Sequence, residues 1–385
     1  MLVLAVTALT AIGLVALWPE ADSGASILGE RLPIADASVR TVSIAPCAGT
    51  AEEDEVDCYV VDASVRSGER RGATARLELP VEGSTPRLSP GDDIVLAYDA
   101  AGVDGPAFYF YDFQRRTPLI LLVLLFVTVV VLFGGWRGIG ALAGLITSLI
   151  VLAVFTLPAI LDGRSPVLVA LVSAALIGLL ALHLAHGFGV ATNVAALGTF
   201  ASLLLTGALA AAFVGASRLT GLLDDNALLL DVAAGEVDLR GMILAGIIIG
   251  SLGVLDDMAV TQVSAVAELR RARPRLGRRA VFDAALRIGR DHVSSTVNTL
   301  VLAYVGAALP LLLLFTETQR SLGDIATSEV VATEIIRSLV GSVGIVASVP
   351  ITTALAVWVL RPDNTRSPTD AGGSRSRPAE WLLRP

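Results

Sequence analysis

Two adjacent carboxylates, Asp256 and Asp257, stand inside a long apolar run at residues 242–264. A carboxylate in hydrocarbon is costly, so each one implies a task or a partner. Read as a helix, the run places Asp257 on one face with Thr261, Ser264 and Glu268, at i, i+4, i+7 and i+11. The pair lies about 14 residues, or ~21 Å, from the outer end of the run. Gly250 and Gly253 let a neighbouring backbone approach closely or let the helix break. The next run opens with Asp291, followed on one face by Ser294 or Ser295 and then Asn298, with Thr299 alongside and Tyr304 deeper. Asn298 stands ~10 Å above Asp291. Consecutive antiparallel helices then hold both stripes at similar depth. The candidate substrate- or ion-binding set is Asp257, Thr261, Asp291, Ser295, Asn298, Thr299 and Tyr304. Such a set can coordinate an ion or relay a proton. The plainer use is interhelical hydrogen bonding, and for Asp291 an N-cap. Asp256 points ~100° away and is expected only to meet Arg side chains rising from the following loop.

Other residues offer less. His183 and His186, at i and i+3, make at most half a metal site, and interfacial histidines are the plainer reading. Thr192 and Asn193 open an apolar run and either join the cluster or cap the helix. The sequence has no H-E-x-x-H, no P-loop and no G-x-S-x-G. No catalytic residue, cofactor or metal is assigned, and an enzyme is not expected.

The elements that position these residues follow from composition. The 385 residues are 54% apolar and only 17% charged, against roughly 25% charged in globular chains. This excludes a disordered chain, a nucleic-acid binder and a coiled-coil rod. Eight apolar runs approach the ~20 residues that cross a bilayer. They cover residues 2–18, 118–133, 139–161, 166–184, 190–214, 242–264, 293–315 and 336–360. The first is read as an uncleaved anchor (residues 1–18) over a signal peptide, because it is long for an h-region and no A-x-A site follows promptly. No internal repeat is apparent from direct comparison of the runs.

Residues 19–116 differ in character. Residues 39–44, 59–65, 75–79, 94–98 and 108–113 read as strands. Pro90-Gly91-Asp92-Asp93 and Asp104-Gly105 read as turns. A small β-barrel or sandwich is expected. All 28 basic residues are Arg, and with this domain outside, the short inner segments hold fourteen of them and the outer ones seven. The Arg115-Arg116 pair dissents. Cys47 and Cys58 would then face an oxidising compartment, where a disulfide persists. The segment 269–292 reads as a basic cytoplasmic loop with an amphipathic helix from Gly277, its Arg279, Arg287 and Arg290 facing anionic headgroups or simply anchoring the inner side. Residues 117–361 form a seven-helix membrane domain, and residues 362–385 a disordered cytoplasmic tail.

The segment 250–264, Gly-Ser-Leu-Gly-Val-Leu-Asp-Asp-Met-Ala-Val-Thr-Gln-Val-Ser, resembles the YibE/F-like family of bacterial multi-span membrane proteins. So does Gly289-Arg290-Asp291, followed by residues 295–306 with Asn298-Thr299-Leu300 and Ala303-Tyr304-Val305-Gly306. In the family pattern the position of Asp257 is the acidic one and that of Asp256 is often apolar, so Asp256 is a departure. The resemblance implies a permease-like protein of the bacterial plasma membrane. The expected architecture is therefore a polytopic α-helical membrane protein of about eight transmembrane helices with a small extracytoplasmic all-β domain. The expected function is that of a secondary transporter or permease for a small solute or ion. The alternative is a non-enzymatic scaffold or signalling protein whose β-domain binds an envelope partner. The lipid bilayer and the anionic lipids of its inner leaflet are the expected partners, with no nucleic acid.

Overall fold

The computed structural model describes residues 1–20, 32–47, 57–83, 85–99, 107–223, 225–234, 237–317 and 321–360. The chain divides into two units, residues 26–133 and residues 1–25 with 134–385.

In the first unit all five expected strands form, each longer than its apolar centre: β1 (Ile34–Pro46), β2 (Asp57–Val65), β3 (Thr74–Pro80), β4 (Asp93–Asp99) and β5 (Ala107–Phe113). The sheet order is β3-β2-β1-β4-β5, with every pair antiparallel. β1 serves two partners. Its first part pairs with β4 from Ile34↔Ala97 to Ser38↔Asp93, and its longer second part pairs with β2. A register shift between Val39 and Thr41 lets the strand bend from one partner to the other. The edge strands β3 and β5 approach each other, so the sheet curls into a partly open five-stranded barrel with the strand order of OB-type folds. Alternate residues such as Val61, Ala63, Ile94 and Leu96 are fully enclosed. Cys47 and Cys58 form a disulfide, their Cα atoms 5.0 Å apart, where the β1–β2 pairing ends. Gly91 takes φ +99° in the Pro90–Asp93 turn, which few residues with a Cβ adopt. The turn expected at Asp104-Gly105 lies outside the described residues.

The second unit is helical. α1 (Leu2–Ala16) precedes the β-unit in sequence. α2 (Arg116–Val151) joins the second and third apolar runs, interrupted at Gly135, whose φ of 54° and ψ of −134° are not helical. A π-helical turn (Leu152–Thr156) and the short α3 (Leu157–Leu161) complete that stretch. There follow α4 (Pro166–His186), α5 (Val190–Ala216), α6 (Asp225–Ala234) and α7 (Leu239–Ala272). The chain ends its described course with α8 (Arg278–Ala307), α9 (Leu309–Glu317), α10 (Leu322–Ala326) and α11 (Glu329–Val359). Five helical stretches are long and apolar enough to cross a membrane, and a sixth results if α8 and α9, bent by 62°, count as one. α1, at 15 residues, is shorter. α7 is central: it packs against α4, α5, α8 and α11.

The amphipathic segment differs from expectation. Its helix does start after Gly277, but it runs unbroken to Ala307 rather than forming a separate loop helix. Nothing between residues 278 and 307 stops it. Gly289 is the glycine in its middle, and its missing side chain is what lets the helix dock. A Cβ on Gly289 would lie 2.5 Å from the Val349 side chain and 2.6 Å from Gln262 Nε2. The tail after residue 361 lies outside the described residues.

Candidate functional site

The adjacent carboxylates of α7 point to different surroundings, as a 100° step requires. Asp256 shares its face with Leu252, Ala259 and Val263, the apolar packing face of α7, and so turns towards α5. There it accepts a hydrogen bond from Thr199 Oγ1 at 3.3 Å. The expectation that Asp256 meets only Arg side chains from the loop is corrected by that contact. Asp257 stands on a different, open face with its side chain 67% exposed, and its Oδ2 is 3.6 Å from His292 Nε2 on α8. Thr261 is half-buried on the same side, whereas Ser264 and Glu268 are exposed.

On α8 the packing face is Val281, Ala285 and Gly289. Asp291 and Asn298 fall nearly opposite Gly289 around the helix, and Ser295 and Thr299 flank them; all four are exposed. Thr299 Oγ1 satisfies itself by donating to the Ser295 carbonyl at 3.0 Å, as Ser294 Oγ does to the Arg290 carbonyl at 3.1 Å. The predicted convergence of the two stripes is therefore partial. The structure brings Asp257 of α7 near His292 of α8, while Asn298 and Asp291 face away from the bundle. Tyr304 is half-buried, its hydroxyl over Gly250, 3.5 Å from where a Cβ would stand. Beside it α11 carries an ion pair, Arg337 Nη1 to Glu334 Oε1 at 2.8 Å, with Arg337 reaching over Gly246 of α7.

A second polar group lies deeper. Gln262 is fully enclosed and accepts from Thr353 Oγ1 of α11 at 2.9 Å, while its Nε2 has no partner. An enclosed amide left half-satisfied costs free energy. Arg270, 7% exposed, donates to the Leu276 carbonyl at 3.1 Å and to the Val357 carbonyl at 3.4 Å. It thereby ties the end of α7 to the C-terminal turn of α11, where a cation also suits the helix dipole. His183 Nε2 sits 3.1 Å from Asn193 Oδ1, which joins α4 to α5, and the His183 ring lies tilted against Phe188, centroids 4.9 Å apart. Among the described residues no three His, Cys, Asp or Glu side chains gather as a metal site needs.

Sequence reasoning passed over Asp256, Thr199, His292, Gln262 and Thr353. One signal was present. The i±3 and i±4 neighbours of Asp256 include Leu252, Ala259 and Val260, whereas those of Asp257 include Gly253 and Thr261. In α7 the continuously apolar stripe is the packed one, and the stripe of Asp257 is the open one.

These features define a class: a bundle of long apolar helices with acids and an amide on its central helix and an ion pair on a neighbouring one, joined to a small antiparallel β-unit. Within that class, the chain belongs to the YibE/F-like protein family, whose sequence pattern matches residues 122–362. No curated protein and no solved structure matches the chain.

Proposed function

We propose that this YibE/F-like protein is an integral protein of the bacterial plasma membrane and a secondary transporter or permease for a small solute or ion. The observation that carries the reading is the divided carboxylate pair of α7: Asp256 against Thr199 within the bundle, Asp257 beside His292 on its open face. Ionisable groups midway along a helix able to cross a bilayer are expensive and cluster on solute pathways. Eight crossings follow if α1, the two parts of α2 with α3, α4, α5, α7, α8 with α9, and α11 all span. α1 supports an uncleaved anchor, because Trp18 stacks on Phe155 at 5.9 Å and Glu20 meets Arg164 at 3.0 Å. The Arg distribution supports a β-unit outside and a C-terminus in the cytoplasm. The basic start of α8 then lies against anionic lipid.

The test uses full-length protein in vesicles screened with labelled ions and small solutes. Asp256→Asn and Asp257→Asn are expected to lower uptake of whichever solute the unaltered protein moves. Full uptake by both variants sinks the proposal. The scaffold reading draws on Tyr109 and Tyr111, which β5 exposes at 53% and 67%. If deleting residues 20–115 abolishes the cellular phenotype while both Asp variants keep it, the scaffold reading replaces transport.

A further inference from the structure

Residues 192–210 of α5 and 338–356 of α11 align without a gap at a constant offset of 146. Eight of the nineteen positions are identical: Val194/Val340, Gly198/Gly344, Ala201/Ala347, Ser202/Ser348, Thr206/Thr352, Ala208/Ala354, Leu209/Leu355 and Ala210/Ala356. Burial repeats as well. In both copies the residues at 192, 194–196, 198, 199, 202, 203, 206 and 210, with their mates, are buried. Equal sequence in equal surroundings is what a two-fold relation produces.

The contacts between the helices show that relation directly. A Cβ on Gly198 would stand 2.3 Å from Thr352 Oγ1, and one on Gly344 would stand 2.1 Å from Thr206 Oγ1. Each copy's glycine receives the other copy's threonine. Only antiparallel helices can pair so, and the register puts Ser202 opposite Ser348. The small residues at every fourth position explain the close approach.

The departures are as informative as the identities. Three buried hydroxyls occur in one copy only: Thr199 (mate Ile345), Ser342 (mate Ala196) and Thr353 (mate Gly207). Ser342 bonds back to its own helix at the Ser338 carbonyl. The other two both serve α7: Thr199 holds Asp256 and Thr353 holds Gln262. Both lie on the same half of the seam, towards the start of α5 and the end of α11. The mates on the other half offer α7 no hydroxyl; a Cβ on Gly207 would stand 3.6 Å from the Ile248 side chain of α7, an apolar neighbour.

We infer that α5 and α11 are inverted copies of one segment that form a two-fold seam, and that Thr199 and Thr353 latch α7 onto one half of it. In the orientation proposed above, that half is cytoplasmic. Inverted repeats with an axis in the membrane plane are how many transport folds expose a site to either side in turn. A one-sided latch on α7 is then a gate that closes inward and releases when both hydroxyl contacts break. The gating role rests on the transport reading; the repeat and the latch do not.

Two experiments on full-length protein test the inference without a known solute. Because Cys47 and Cys58 are joined, an introduced cysteine is the one free thiol. Membrane-impermeant maleimide should label Phe188→Cys and Leu360→Cys from one side, and Ser217→Cys and Leu322→Cys from the other. Labelling of Phe188→Cys and Leu360→Cys from opposite sides overturns the inversion. In hydrogen exchange, Thr199→Ile and Thr353→Gly, each carrying its mate's residue, should speed the amides around residues 256–262 about tenfold. Ser342→Ala should leave them unchanged. Unchanged exchange in the first two, or an equal rise in all three, overturns the latch. Should Thr199→Ile fail to fold, Thr199→Val removes the same hydroxyl at nearly the same volume. None of these outcomes depends on uptake, so loss of the transport reading would leave them interpretable.

Discussion

The β-unit and the helical bundle bury their interiors by different chemistry. Between β1 and β5 the buried side chains among the described residues are Val, Ile, Leu, Ala, Tyr98 and the disulfide-bonded Cys58, and Ser38 is the buried Ser or Thr there. In the bundle Ser173, Thr199, Ser202, Thr206, Ser348 and Thr352 are all fully enclosed. A domain folding in water gains from every apolar surface it hides. A helix among lipid tails gains little that way and must gain from close approach, which small residues permit. The contrast teaches that polarity marks the outside of the β-unit, but in the bundle small polar residues mark the inside.

The predictions that test this contrast begin with the seam. Gly344→Val sets new methyl groups against Thr206, where there is no room, and should abolish monodisperse full-length protein on size exclusion. Gly253→Ala meets nothing within 4 Å and should leave elution and melting unchanged. If both behave alike, close approach is not what holds the bundle. Next, Ile94→Ala empties a fully enclosed site in the β-unit. It should destabilise that unit by about 2–5 kcal/mol, seen as earlier proteolysis of the β-unit with the bundle intact. Replacing Cys47 and Cys58 by Ser opens a bridge between residues 11 apart in sequence. The expected cost is ~3 kcal/mol, again confined to the β-unit in denaturant titration. Simultaneous melting of the bundle would show that the units are not energetically separate.

The smallest effect is at Asp112. The Arg115 guanidinium, at 2.6 Å, and the Phe113 N–H hold its carboxyl below the usual carboxylate range. A lowered folded-state value means the contribution is present above the unfolded value of 3.8 and is lost as pH falls through the lower folded value. Because the pair is open to solvent, Asp112→Asn should leave neutral-pH melting nearly unchanged. It should also remove a slight loss of stability below pH 3.8. A large neutral-pH effect would mean the pair is covered by something.

Much of the fold was legible. All five strands were marked by β-branched alternation, because a one-sided sheet in water must alternate. The Cys47–Cys58 bridge followed from compartment reasoning, and the helix after Gly277 from its polar face. The continuity of α8 was hidden, since a basic amphipathic stretch and an apolar run look like two elements until one helix is seen to carry both. The repeat escaped because small residues at every fourth position look unremarkable until two copies are set side by side.

The sequence by itself determined which stretches are apolar enough to leave water, where the sheet's strands fall, and that α7 carries two adjacent acids in its apolar run. Those are local properties, set by side-chain period and transfer cost. Only the tertiary structure decided that Asp256 faces Thr199, that Asp257 faces outward beside His292, and that Gly198 and Gly344 each receive the other copy's threonine. Adjacent residues share every local signal, and which of them turns inward depends on the rotation of α7 against four neighbours, a property of the packed bundle rather than of any one helix.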